Sequence, residues 1–145
     1  MAMTMVLAIA ATMLAAPVAA ADLPAALVEP YLQVQGALAA DRMDGVTTHA
    51  EAIGTAAAEL GAEGQPLVES ARALAAAKDI AAARTAFGEL SAALVAYAEK
   101  TKASFGEGVR LAYCPMVKKP WLTRDKTIRN PYFGASMLTC GSFKP

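Results

Sequence analysis

The chain has few of the side chains that catalysis or hard-metal binding requires. Its 145 residues include one histidine, two cysteines and one tryptophan, and its basic and acidic residues balance at 13 each. A single imidazole has no second catalytic base beside it in the sequence, so we expect a protein that is not an enzyme. Zero net charge argues against a nucleic-acid binder, because such proteins need a basic surface to neutralise phosphates.

Charged side chains are also missing from the first 21 residues. A short apolar run at 6–14 is followed by Pro17 and then by small residues as far as Asp22. This pattern is typical of a signal peptide, and we expect cleavage after Ala20 or Ala21 and a periplasmic or secreted location. No later apolar run is long enough to span a bilayer, so the mature chain is not predicted to be an integral membrane protein.

Composition and charge both change near residue 100. Residues 22–99 are rich in alanine and carry eleven acidic and four basic side chains, whereas residues 100–145 carry nine basic and two acidic ones. Opposite charges attract, and a short segment cannot build a core of its own. We therefore expect the C-terminal segment, 109–145, to pack on the first part of one domain, 22–145.

The first part of this domain has helical periodicity. Pro30 is placed at the start of the first helix, and Asp44 and Asp79 are placed as N-caps of the second and fourth. Apolar spacings of three and four residues predict helices at about 27–41, 44–60, 66–77 and 79–100. Short connections favour antiparallel neighbours. The predicted fold is all-α, an up-down four-helix bundle with an irregular C-terminal segment packed on it.

Sulfur-containing side chains are concentrated in the C-terminal segment. Cys114 and Met116 flank a proline, and Met137 lies three residues before Cys140. Thiolates and thioethers are soft ligands that select Cu(I) over magnesium, calcium or manganese, so these four residues are candidate copper ligands. His49 is a further candidate ligand, although its place on an apolar helix face favours a histidine hydrogen-bonded within the core.

A disulfide is the alternative use of the two cysteines. In an oxidising compartment, paired cysteines usually form a bridge. A Cys114–Cys140 bond would close a loop of about 27 residues and contribute roughly 3–4 kcal/mol to stability. Met116 and Met137 would then be ordinary packing residues. Spacing alone favours the disulfide over the metal site, and both interpretations remain open.

A set of distinctive residues and short motifs runs through the chain. It consists of Tyr31, Asp79, Arg84, Phe87, Tyr113-Cys114-Pro115-Met116, Trp121-Leu122, Asn130-Pro131-Tyr132-Phe133-Gly134 and Met137-Leu138-Thr139-Cys140-Gly141. Together they resemble domain-of-unknown-function family 3347. This chain has only four residues, 117–120, between the Cys-Pro-Met and Trp-Leu motifs, where the family has a longer, glycine-containing stretch. We expect Trp121, Tyr132 and Phe133 to pack on the helices.

The resemblance implies a small exported protein related to a domain of periplasmic adaptors in copper and silver efflux pumps. With this resemblance, metal binding by Cys114, Met116, Met137 and Cys140 and a Cys114–Cys140 disulfide are equally supported interpretations. A periplasmic protein that binds copper and takes part in metal handling or efflux is one hypothesis. The other is a disulfide-stapled interaction module without metal. Either implies a heavy-metal efflux adaptor or another envelope protein as partner.

Overall fold

The computed structural model describes residues 20–145, so the predicted signal sequence lies almost wholly outside the described residues. The described part of the chain forms helices, then strands. The helices are α1 (Ala25–Ala39), α2 (Val46–Ala58), α3 (Gln65–Ala75) and α4 (Ile80–Thr101), and the strands are β1 (Arg110–Cys114), β2 (Lys119–Thr123) and β3 (Ser142–Phe143). Short 3-10 turns lie at Gly61–Gly64 and Gly134–Ser136.

The prediction of an all-α fold is wrong. The C-terminal segment forms a three-stranded antiparallel sheet in the order β2-β1-β3, so the protein is a mixed α and β structure. Each helix packs on the next in sequence, and β2 packs on both α1 and α4. In a closed four-helix bundle α1 and α4 would pack along each other. Here β2 packs against both of them instead. Strands of only five and two residues leave too short a pattern for the alternation to be recognised.

The helices begin and end within two residues of the predicted bounds, but their starting signals differ. Pro30 lies inside α1, whose N-cap is Pro24. The N-cap of α2 is Gly45, with a φ of 74°, and not Asp44 as predicted. The first turn of α2 therefore has no hydrogen bond from a capping side chain. Asp79 does cap α4, because its Oδ1 accepts the backbone N–H of Ala82 at 2.8 Å.

The free edge of β2 is covered by the helices. The Leu122 N–H of this edge donates to the buried hydroxyl of Tyr31 at 3.1 Å. The same hydroxyl shares a 2.6 Å hydrogen bond with Ser91 Oγ of α4. Thr123 Oγ1 donates to Gln35 Oε1 at 3.3 Å, and all of these groups are buried. The unpaired backbone groups of an exposed edge strand can pair with another chain. At this edge of β2, side chains of the helices cover the strand and hydrogen-bond to it.

Aromatic rings from helices and C-terminal segment meet in one core. Tyr31 stacks on Phe87 with ring centroids 4.9 Å apart, and Phe87 contacts Tyr132 at 5.9 Å. Tyr132 in turn meets the edge of Trp121 at 6.1 Å. Trp121 and Phe87 are fully buried, so the C-terminal segment contributes to the same core as the alanine-rich helices.

Ion pairs join the acidic helices to the basic C-terminal segment. Arg124 donates two hydrogen bonds to the Glu29 carboxylate, at 2.7 and 2.9 Å, and this pairing lowers the pKa of Glu29. Lys119 pairs with Glu89 at 2.9 Å. Exposed pairs each contribute little, about 0–1 kcal/mol. Their charges orient the segment, while burial of the aromatic rings stabilises it.

Replacing Phe87 tests whether this shared core holds the fold together. We expect Phe87→Ala to lower the free energy of unfolding by about 3–5 kcal/mol, because the ring contacts both Tyr31 and Tyr132 and leaves a cavity. Urea unfolding measures the change, and Leu32→Ala, at a half-buried position on α1, is the control that should cost less. A loss below about 1 kcal/mol would place Phe87 outside the core.

Candidate functional site around the two cysteines

The sheet brings the two cysteines to neighbouring strands. Cys114 is the last residue of β1, and Cys140 precedes β3 by two residues. In the antiparallel pairing of β1 with β3, Tyr113 lies opposite Ser142. The residues just before β3, 138–141, which we call the Cys140 segment, therefore lie near the C-terminal end of β1. The thiol of Cys114 is completely buried, whereas Cys140 is half-buried.

Both cysteines are free thiols in this structure, so the predicted Cys114–Cys140 disulfide is wrong. The two thiols nevertheless lie close enough to influence each other. Burial raises the pKa of the Cys140 thiol, and the neighbouring charge and hydrogen bond of Cys114 raise it further. A thiol with a raised pKa stays protonated at neutral pH and is a weak nucleophile. A metal that binds Cys140 must therefore displace this proton.

Asn130 determines where the Cys140 segment lies. Its side-chain Nδ2 donates to the Cys140 carbonyl at 2.8 Å, and its backbone N–H donates to the Leu138 carbonyl at 2.8 Å. Its Oδ1 accepts the N–H of Tyr132 at 2.8 Å, and its carbonyl accepts the N–H of Gly134 at 3.0 Å. Asn130 is fully buried. The residue therefore ties the Asn-Pro-Tyr-Phe-Gly turn to the backbone on either side of Thr139.

Gly141 lets the Cys140 segment pass close to the core tryptophan. Its φ of 125° is a conformation that other residues rarely adopt. A side-chain carbon there would lie 2.8 Å from both Trp121 Cη2 and the Tyr113 carbonyl oxygen. Within residues 20–145, Trp121 Nε1 is the one buried side-chain nitrogen or oxygen without a hydrogen-bond partner. The close approach at Gly141 places the Trp121 indole against the backbone of the residue that follows Cys140.

Arg84 fixes the other end of this turn, a role that the sequence did not reveal. Its Nε donates to the Pro131 carbonyl at 2.9 Å, and its Nη2 donates to the Leu38 carbonyl at 2.9 Å and to Asp41 Oδ1 at 2.7 Å. Asp41 Oδ2 accepts the N–H of Ala135 at 2.9 Å. This bond and the Arg84 pairing lower the pKa of Asp41. The sequence alone gives no sign of this contact, because Asp41 and Ala135 are 94 residues apart.

Gly134 is the position in this turn that cannot carry a side chain. Its φ is 55°, and a side-chain carbon would collide with the Asp41 carboxylate and with Arg84 Nη2. Both residues of that ion pair are needed to hold the turn. Tyr132 is buried and Phe133 is half-buried against the core, so the aromatic residues of the motif do pack on the helices.

The two candidate methionine ligands lie at the surface. Met116 is 61% exposed in the turn between β1 and β2, and Met137 is 36% exposed at the end of the 3-10 turn Gly134–Ser136. The N–H of Cys140 donates to the Met137 carbonyl at 3.0 Å, which places the two residues in one tight turn. With Val117, they are the exposed large apolar side chains of the described residues. Neither methionine is a core packing residue.

His49 does not join the cysteines. It lies in α2, which packs against α1 and α3 rather than against the sheet. No group of three or more histidine, cysteine, aspartate or glutamate side chains within residues 20–145 is arranged to hold a metal ion. His49 is therefore not placed beside the cysteines as an additional ligand. What the fold brings together is two thiols, with two methionines on the adjoining turns.

A surface groove of about 400 Å³ lies between α4 and the turn that joins β1 to β2. Neither cysteine lines it. Its two basic side chains, Arg84 and Lys119, are already paired with Asp41 and Glu89. The groove therefore lacks the converging unpaired polar groups that mark a ligand site.

Comparison with known proteins assigns no family to the chain. No protein-family model matches it, and neither does any curated protein or solved structure. Membership in family 3347 remains a prediction that depends on the motif residues. No helix within residues 20–145 has the length and apolar character needed to cross a membrane.

Replacing Asn130 tests its control over Cys140. We expect Asn130→Asp to destabilise the protein by about 1–3 kcal/mol, because the Cys140 carbonyl loses its donor and a carboxylate is buried. Cys140 should also react faster with a thiol reagent in the native protein. Pro131→Ala, which keeps the carbonyl that Arg84 binds, is the control. An unchanged reaction rate in Asn130→Asp would contradict the positioning role.

Proposed function

We propose that this protein binds a soft metal ion, Cu(I), through the thiolates of Cys114 and Cys140, and that it serves in copper handling or efflux. The observation that carries this proposal is that the pairing of β1 with β3 brings two free thiols, from separate parts of the C-terminal segment, to neighbouring segments of backbone. No three or more histidine, cysteine, aspartate or glutamate side chains within residues 20–145 form a metal-binding group, so the proposal rests on the two thiols.

The number and softness of the ligands favour Cu(I) over other ions. Thiolates and thioethers prefer Cu(I), whereas magnesium, calcium and manganese prefer oxygen ligands. A structural zinc site takes four ligands, usually cysteine and histidine, and such a set is not assembled in the described residues. Cu(I) accepts as few as two thiolate ligands. Two cysteines therefore suffice, and the proposal needs no contribution from His49.

The exposed methionines support a site from which the metal can leave. Met116 and Met137 are at the surface beside the cysteine turns, where a thioether can add to the metal or pass it on. Thioether is a weaker ligand than thiolate. A buried thiolate and two exposed thioethers would together form a path from the interior to a partner.

We propose a binding role, not a catalytic one. The raised pKa of Cys140 means that its thiol lacks the activation that a catalytic cysteine needs. The only histidine of the chain lies on α2, away from the thiols, so no imidazole is placed to activate them.

Features of the sequence support the proposed location and partner. The uncharged segment 1–21 supports export, and the resemblance to family 3347 supports a heavy-metal efflux adaptor or another envelope protein as the partner. The surface that would meet this partner includes Met116, Val117 and Met137. It lies within residues 100–145, which carry nine basic side chains and two acidic ones. An acidic partner surface is therefore the one that complements it.

Copper binding is tested by titrating reduced protein with Cu(I) under anaerobic conditions, in competition with a coloured Cu(I) chelator. We expect one ion per chain, with quenching of Trp121, the only tryptophan, because its indole lies beside Cys140. Loss of a residue that only supports a metal ligand costs about 10–100-fold in affinity. Cys140→Ser and Cys114→Ala should each exceed that loss.

The methionines provide a matched comparison. Met116→Leu and Met137→Leu should each weaken binding less than the cysteine variants do, because thioether is the weaker ligand. Met43→Leu, at a half-buried position on the helical side, should leave affinity unchanged. Binding that survives the loss of both cysteines would contradict the proposal, and so would a reduced wild-type protein that takes up no Cu(I).

The pH dependence of affinity gives a separate prediction. Each thiol must lose its proton to bind the metal, and the raised pKa of Cys140 extends this requirement to higher pH. Affinity for Cu(I) should therefore fall as the pH is lowered from 8 to 6, by about tenfold per pH unit for each proton released. Competition titrations at constant ionic strength measure the slope. A pH-independent affinity would indicate thioether ligands alone.

A further inference from the structure

The first described residues are part of the folded domain. The Ser104 N–H donates to the Ala21 carbonyl at 3.1 Å, and the Leu23 N–H donates to the Ser104 carbonyl at 2.8 Å. Asp22 and Ser104 form a parallel bridge, and their side chains are hydrogen-bonded. Leu23 is only 4% exposed. This N-terminal clamp, residues 21–23 on Ser104, holds the start of the domain to the chain that follows α4.

The clamp distinguishes the two cleavage positions that the sequence leaves open. Cleavage after Ala20 would place Val18 and Ala20 at the third and first positions before the cut, and cleavage after Ala21 would place Ala19 and Ala21 there. The carbonyl of the 21–22 peptide bond is the one that accepts the Ser104 N–H. A cut at that bond would remove Ala21 and leave the Ser104 donor without its partner.

We propose that the chain is processed between Ala20 and Ala21, so that the mature protein begins at Ala21. The reaction is hydrolysis by a signal peptidase: water adds across the amide, the C–N bond breaks, and Ala20 gains a carboxylate while Ala21 gains an ammonium group. This inference rests on the exported location that is part of the proposed function. It is independent of metal binding.

The contacts of the clamp begin just after the 20–21 peptide bond. Ala20 is exposed, and this bond precedes the first hydrogen-bonded group of the clamp. Cleavage at 21–22 would remove the carbonyl that accepts the Ser104 N–H. Cleavage after Ala20 leaves every contact of the clamp in place.

The direct test is to express residues 1–145 in a Gram-negative host and to analyse the periplasmic protein by intact mass and N-terminal sequencing. We expect the sequence Ala-Asp-Leu-Pro. A mature protein that begins Asp-Leu-Pro would overturn this inference but leave export intact. An unprocessed chain that stays in the cytoplasm would overturn both the inference and the proposed location.

Matched substitutions separate the two positions further. Ala21→Leu should be processed at the wild-type rate and yield a protein that begins with leucine, because position 21 follows the cut. Ala20→Leu should slow processing or move the cut, because position 20 precedes it. The opposite result, with Ala21→Leu blocked and Ala20→Leu unaffected, would overturn the inference.

Protein that begins at Ala21 should also melt a few degrees higher than protein that begins at Asp22, since only the longer form keeps the Ser104 hydrogen bond. Equal melting temperatures would show that the clamp does not need Ala21 and would overturn the physical basis of the proposal.

Discussion

The hydroxyl of Tyr31 lies at the point where helices and sheet are joined, and the rest of the structure depends on it. It accepts the Leu122 N–H from the free edge of β2 and shares a hydrogen bond with Ser91 of α4. A strand edge buried without such a partner would leave a costly unpaired N–H group. Burial raises the pKa of Tyr31, so the hydroxyl remains protonated and can donate as well as accept. Two helices and one strand therefore share a single buried group.

From this junction, a chain of contacts leads to the thiols. Phe87 and Tyr132 fill the space beside Tyr31, and Arg84 holds the turn that contains Tyr132 by binding the Pro131 carbonyl. That turn fixes Asn130, whose side chain in turn holds the carbonyl of Cys140. The helices thus help to position the backbone at Cys140, although neither cysteine lies on a helix.

The sequence predicts the helices well because alanine-rich segments with three- and four-residue spacing have few alternatives. It does not predict the sheet, because β3 has two residues and is defined by its pairing with β1 rather than by any pattern of its own. Arg84 and Asp41 were equally hard to assign, since their partners are backbone groups 46 to 94 residues away in the sequence. The sequence identified both cysteines as chemically important, but their spacing alone favoured a disulfide, and only the resemblance to family 3347 raised metal binding to an equal alternative.

The measurement that tests the central claim most directly is X-ray absorption at the copper K edge of reduced protein loaded with one equivalent of Cu(I). The account predicts a first shell of sulfur only, at about 2.3 Å by analogy with zinc–thiolate bonds. In Asn130→Asp, where the Cys140 segment is released, the sulfur shell should become smaller or more disordered. A first shell dominated by nitrogen or oxygen in the wild-type protein would contradict the claim that the fold holds Cys114 and Cys140 together as a soft-metal site.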